Sequence, residues 1–144
     1  MDKEQMSRDI DCPALVSRAL SALKNSYAPY SGFHVAAALL AESGEVYTGV
    51  NVENASYSAS ICAERNAAAH AAACGERRFT AVAIVGGAGG RITAYCPPCG
   101  ICRQVLREFC DPSELAVITA VSPEDYRVQT LADLLPDSFG PEYL

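Results

Sequence analysis

The sequence predicts an α/β fold, a three-layer α/β/α arrangement around a mixed central sheet, and three observations lead there. An amphipathic helical segment opens the chain, and two strand-like segments joined by a tight turn follow it. Beyond residue 60, helical segments alternate with short apolar strands. The hairpin makes one end of the sheet antiparallel, and the alternation makes a later part parallel, with crossover helices covering both faces. The 144 residues, half of them hydrophobic and 19% charged, suffice for one compact domain spanning 1–144.

The first periodic segment begins after Asp11, a capping residue, with Pro13 in its first turn and Leu15, Val16, Ala19, Leu20 and Leu23 on one face. Residues 27–32 carry Pro29, Ser31 and Gly32, so they turn rather than extend the helix. Residues 33–40 are almost all apolar, as in a strand covered on both faces, and Ser43-Gly44 supplies the return. The partner strand is residues 46–53, in which Asn51 and Glu53 share one face by alternation. An alanine-rich helix over 63–74 stops at Gly75, and a strand over 81–85 follows. Gly86, Gly87, Gly89 and Gly90 read as a flexible loop, because no Lys-Ser or Lys-Thr follows as in a phosphate-binding loop. A short strand over 91–95 leads to Pro97-Pro98, a helix over 99–110, a last strand over 115–121 and a short helix over 130–135.

With 17 acidic against 11 basic residues the net charge is −6, and the basic residues are dispersed. Long-range repulsion then opposes a polynucleotide partner, leaving small neutral or cationic ligands. No apolar run approaches membrane-spanning length and the first residues are polar, so a soluble protein of the reducing cytoplasm is expected. Seven cysteines are too few for a stapled scaffold and odd in number; they read as ligands or free thiols.

The chemistry concentrates in Cys62-Ala63-Glu64 and Cys99-Gly100-Ile101-Cys102, each opening a predicted helix at the carboxyl end of a strand. Two cysteines in the first turn of a helix place their sulfurs on one side, where the helix dipole and a metal favour thiolates, and zinc suits that donor set. Whether the ion is closed by a fourth protein ligand is open on spacing alone. Cys96 lies three residues before Cys99, so structural zinc or the start of an iron–sulfur run competes, although position 105 is Val and Pro97-Pro98 stiffens the link. Glu64 favours an open site, since a carboxylate two residues from a ligand can serve as a proton shuttle, the pattern of zinc deaminases.

Taken together, Phe33-His34-Val35, Asn51-Val52-Glu53-Asn54, Cys62-Ala63-Glu64-Arg65, Pro98-Cys99-Gly100-Ile101-Cys102-Arg103-Gln104 and Leu134-Leu135-Pro136 ahead of Phe139 give a sequence that resembles the small zinc-dependent cytidine deaminases, over about residues 12–140. Ala36, where the family commonly has Gly, and Asn66, where it often has Thr, depart from the pattern, and Ala36 is expected to tighten packing beneath the pocket.

The resemblance implies a cytidine deaminase-like fold and hydrolysis of cytidine and 2′-deoxycytidine to the uridines and ammonia, in pyrimidine salvage. It implies one Zn2+ per chain on Cys62, Cys99 and Cys102, with water attacking C4 of the base and Glu64 as base and then acid. Three thiolates on a divalent ion leave a net negative charge, which Arg65, beside the ligands, would offset. Asn51 and Glu53 are implied to bind the 3′-hydroxyl, Phe33 and Phe139 to pack on the base, Phe139 from a neighbouring subunit of a homotetramer. The face formed by Ala67, Ala68, Ala71 and Ala72 fits close subunit packing or a well-packed helix within one chain. An antibiotic deaminase of the blasticidin S type and a non-catalytic zinc module are the rival readings. His34 and His70 lack partners at ligand spacing and read as structural or surface histidines, and Cys12, Cys74, Cys96 and Cys110 as free thiols.

Overall fold

Two short helices lead into the sheet in the computed structural model, which describes residues 2–144. The first, α1 (Lys3–Asp9), is capped by Asp2, whose carboxylate accepts from the Gln5 N–H, and buries Met6 alone. It has no apolar stripe, and so hydrophobic periodicity gives no sign of it. The second, α2 (Cys12–Ala22), starts as expected at Asp11, which accepts from the Ala14 N–H at 3.1 Å.

The five-stranded sheet has the order β2-β1-β3-β4-β5, with strands β1 (Phe33–Ala41), β2 (Val46–Val50), β3 (Phe79–Ala88), β4 (Ala116–Ser122) and β5 (Asp125–Thr130). Only β3 and β4 are parallel. Three further helices, α3 (Ala63–Ala73), α4 (Gly100–Arg107) and α5 (Leu131–Leu134), complete the main elements.

Alternation divides the apolar side chains between two cores. On one face Ala36, Ala38, Ala83, Val85 and Ile118 pack under Leu15, Val16 and Ala19 of α2. On the other, Ala37, Leu39, Val82, Ile84 and Val117 pack under Ala67 and Ala71 of α3 and Leu106 of α4. The layered α/β/α expectation is therefore met; one detail of it is corrected, and between two open readings of the α3 alanines the structure favours one. Ala36 faces the α2 core, so its methyl group does not tighten the floor of the cavity on the α3 side. Ala67, Ala68 and Ala71 are almost fully buried within their own chain, which assigns that small-residue face to the sheet. Gly49 shows why: a Cβ there would stand 2.3 Å from the Ala67 nitrogen, so α3 rests directly on the backbone of β2.

Three other expectations change. The strand at 91–95 is absent: β3 already has β1 and β4 as neighbours, and residue 91 crosses the end of β3 so closely that a Cβ at Gly87 would meet the Arg91 carbonyl oxygen at 2.0 Å. Gly86 and Gly87 are buried inside β3, and only Gly89 and Gly90 form a turn, with φ of +64° and +77°. Finally, β5 follows the supposed last strand. It carries Tyr126, Val128 and Thr130 at period two, a pattern visible in the sequence but interrupted by charged residues.

Candidate active site and metal centre

Helices α3 and α4 begin beside one another, and each is capped by a cysteine in extended conformation, Cys62 and Cys99. Neither sulfur bonds to its own helix N–H groups; Cys62 faces Cys99, and Cys99 faces Cys102. The Cys62 and Cys99 sulfurs are 3.7 Å apart, Cys99 and Cys102 3.5 Å, and all three lie within 4.8 Å of one another. Sulfurs bound at ~2.3 Å to one tetrahedral ion stand roughly 3.8 Å apart, so the donor set fits zinc both in spacing and in chemistry. Among the described residues these three form the cluster able to hold a metal.

The surroundings of the sulfurs fit the same conclusion. A hydrogen bond from Cys102, aided by Cys99 and the Arg65 guanidinium, holds the Cys62 thiol well below its ordinary value, at about 5. Cys102 moves the other way, raised by that same bond and by burial. Thiols that share protons at a pair of positive helix ends are prepared to surrender them to a cation. Arg65 donates through Nη2 to the Ser60 carbonyl at 3.0 Å, while its Nε is buried with no partner. An orphaned guanidinium N–H beside a sulfur cluster is the group a net-negative metal–thiolate centre would satisfy.

Glu64, in the first turn of α3, is only 4% exposed, and burial pushes its carboxyl above the ordinary glutamate range. It opens on a cavity of about 170 Å³ lined by Val35, Asn51, Cys62, Cys96, Pro97 and Cys99 among others. Cys96 lies outside the cluster, packed so that a Cβ at Gly86 would stand 3.1 Å from its sulfur. Burial pushes its thiol up to about 11.

Asn51 and Glu53 follow β2, flanking Val52, which bridges to Tyr27 and Ile61. The Asn51 Oδ1 accepts from the Val35 N–H at 2.9 Å and from the Ser26 hydroxyl, and its Nδ2 donates to the Phe33 carbonyl at 2.8 Å. Glu53 accepts at Oε1 from the Tyr30 and Ser31 N–H groups at 2.9 and 3.0 Å, and at Oε2 from the Ser31 hydroxyl. With Tyr30, Ser31, Tyr57 and Ser60 it lines a second cavity of about 230 Å³. Ser26, Tyr30 and Ser31 escaped sequence reading. For Tyr30 and Ser31 the sign was the turn composition of residues 27–32, which does not say what the turn holds; Ser26, just before it, gave none.

Phe33 and Phe139 line neither cavity; both are exposed, and Phe139 stacks on Tyr143 with ring centroids 5.1 Å apart. His34 and His70 are structural, the first bonded to the Ser26 hydroxyl and the second to the Thr48 carbonyl. Asn66 donates to the Val50 carbonyl at 2.7 Å, tying α3 to the end of β2.

Residues 11–119 match the family model of the cytidine and deoxycytidylate deaminase zinc-binding region. The chain belongs to this deaminase family. A cytidine deaminase of Sporosarcina psychrophila is 42% identical over 135 residues, 94% of this chain and 96% of that protein. The Mycobacterium tuberculosis cytidine deaminase is 42% identical over 92% of each chain. The solved cytidine deaminase of Burkholderia pseudomallei superposes with a TM-score of 0.79 at 45% identity, covering 88% of this chain and 97% of that one. The cytidine deaminase fold and the zinc-binding character of the family therefore hold for this chain. Among the described residues no helix is long and apolar enough to cross a membrane.

Proposed function

We propose that the chain hydrolyses cytidine and 2′-deoxycytidine to uridine and 2′-deoxyuridine with release of ammonia, as one catalytic domain over residues 1–144. Cys62, Cys99 and Cys102 would hold one Zn2+ and Glu64 would be the catalytic acid–base. The observation that carries the reading is a carboxyl group only 4% exposed, set beside three converging sulfurs at the mouths of two helices. When bound, zinc supplies the Lewis acidity that makes water nucleophilic near neutral pH. Glu64 takes the proton of that water as its oxygen bonds to C4, and protonates N3 so that C4 is electrophilic. It then takes the second proton from the new C4 hydroxyl and delivers it to the amine as the C4–N4 bond breaks, leaving the C4 carbonyl and ammonia. Arg65 offsets the excess negative charge of three thiolates.

The unused hydrogen-bonding capacity around Asn51 and Glu53 indicates what they bind. The Asn51 carbonyl is filled by two donors and one of its N–H groups is used, leaving one donor. Glu53 Oε1 is filled and Oε2 holds one donor, leaving one acceptor position. One donor and one acceptor suit a single hydroxyl, which we assign to the 3′-hydroxyl of the sugar; the 2′-hydroxyl has no counterpart in this pair. None of the residues lining either cavity is basic, and Glu53 and Glu64 are acidic, so a nucleoside suits the site better than a nucleotide.

Phe33 and Phe139 are assigned to the pyrimidine, with Phe139 entering from a neighbouring subunit of a homotetramer. The exposed Tyr30 and Tyr57 at the second cavity, together with the exposed Tyr27, Phe33, Val52 and Ile61, support a surface that assembly covers. A cytoplasmic role in pyrimidine salvage accords with seven unpaired cysteines. Purified protein of measured zinc content, incubated with cytidine and followed by ultraviolet absorbance and ammonia release, tests the reading. Fully metallated protein that releases no ammonia refutes it. Co-refolding Glu64→Gln chains with Phe139→Ala chains tests the assembly: sites that pair Glu64 of one chain with Phe139 of another restore wild-type KM only if Phe139 acts between subunits.

A further inference from the structure

Helix α4 carries two of the three clustered cysteines at its head, and its flank carries a second set of contacts that the reaction above leaves unused. Arg107, buried to 7% exposure, donates through Nε to the Ser138 hydroxyl at 2.8 Å and through Nη2 to the Glu142 carboxylate. Its guanidinium lies so close to Gly140 that a Cβ there would stand 2.4 Å from Cζ. One turn earlier, Gln104 donates to the Phe139 carbonyl at 3.0 Å. The tail is thus gripped at Ser138, at the backbone of Phe139, at Gly140 and at Glu142, while the Phe139 ring is 57% exposed. Immediately before this grip Asp137 takes φ +51°, the left-handed region, an unusual conformation for a residue other than glycine.

Exposed terminal segments are ordinarily loosely held, and burying a guanidinium requires its charge and N–H groups to be matched. A buried arginine devoted to fixing the backbone on both sides of a protruding aromatic ring is explained if the ring must be presented at a set position. We infer that Arg107 is a positioning residue for substrate binding, clamping the C-terminal tail so that Phe139 projects from its own subunit toward the pyrimidine site of a neighbour. This rests on the proposed role of Phe139 and adds to it the device that orders the ring before substrate arrives. Ordering the ring in advance lowers the entropy lost on binding, so the clamp acts on KM more than on kcat.

The test compares Arg107→Met, Phe139→Ala and the double variant with cytidine, alongside zinc content and subunit size. Methionine keeps the apolar stem, and Glu142 is 53% exposed, so its loss of a partner strands no buried charge. Each single variant is expected to raise KM about tenfold, corresponding to about 1.4 kcal/mol, with kcat little changed and zinc retained. The double variant should be no worse than Phe139→Ala. If Arg107→Met fails to fold, Ser138→Ala combined with Glu142→Ala removes the clamp from the tail side and should give the same result. Unchanged KM in Phe139→Ala overturns the assignment of that ring, and the clamp with it. A raised KM in Phe139→Ala together with unchanged KM in Arg107→Met, or full additivity in the double variant, overturns the clamp alone.

Discussion

At the sulfur cluster, Cys62, Cys99 and Cys102 have chiefly one another, Glu64 and Arg65 for polar company, whereas Asn51 and Glu53 each engage in three hydrogen bonds to the loop and strand around them. The first region gathers groups whose best arrangement requires a cation; the second is held by its own chain with a donor and an acceptor to spare. Both contribute to the same cavity, through Cys62 and Cys99 on one side and Asn51 on the other. The difference teaches that preorganisation here has two sources, one dependent on a ligand and one on backbone N–H groups, and that they should fail under different treatments.

Removing zinc should separate them most. Chelation is expected to abolish turnover, and at free zinc about a thousandfold above its dissociation constant the ion contributes about 4 kcal/mol to folding, so a fall in Tm of roughly 10 °C is expected. The amides of Tyr30 and Ser31, which donate to Glu53, should keep their protection from hydrogen exchange in the metal-free protein below its Tm. If their protection disappears with the metal, the two regions form one unit and the contrast is lost.

A smaller change at the cluster is Glu64→Gln, which preserves shape and should preserve zinc content while lowering kcat about a thousandfold, since in the proposed mechanism proton delivery and removal both pass through that carboxylate. Turnover close to wild type would leave the burial of Glu64 without a chemical purpose. On the other side, Asn51→Ala frees the Val35 N–H and the Phe33 carbonyl, so about 2 kcal/mol of stability should be lost. KM should rise about tenfold with zinc unchanged. A fall in zinc content would show that the loop supports the cluster.

How much of this could be read from residues alone follows from the distance in sequence over which each feature is assembled. Cys99 and Cys102 are one helical turn apart and Cys62 and Glu64 two residues apart, so their spacing exposed the cluster and the buried carboxyl beside it. Alternation over 46–53 put Asn51 and Glu53 on one strand face, whereas β2 ends at Val50 and the two side chains line different cavities, a divergence set by the loop contacts of residues 26–31 rather than by the strand period. The clamp joins Arg107 to residues 31 and 35 positions later, and no local period records such a contact. Helix α1 escaped because a single buried side chain, Met6, makes no stripe. The supposed strand at 91–95 failed for a tertiary reason, since both edges of β3 were taken. The alanine face of α3 allowed two partners, and the bare backbone at Gly49 decided in favour of the sheet.

The smallest effect is a titration, and it isolates the self-held region. Bonds from the Ser31 hydroxyl and N–H, reinforced by Tyr30, hold the Glu53 carboxyl below the ordinary glutamate range. Because its folded value lies under the unfolded one, this interaction contributes stability above the unfolded pKa, and that contribution is lost as pH falls through the folded value. Acidification acts differently on the sulfurs, where protons compete with the metal for thiolates and zinc is released. Carbon-detected NMR of the Glu53 carboxyl should therefore give a midpoint below that of an unperturbed glutamate, and Ser31→Ala should raise it. If the midpoint instead follows zinc release, or ignores Ser31→Ala, the carboxylate is governed by the metal centre and the loop is not the independent half of the site.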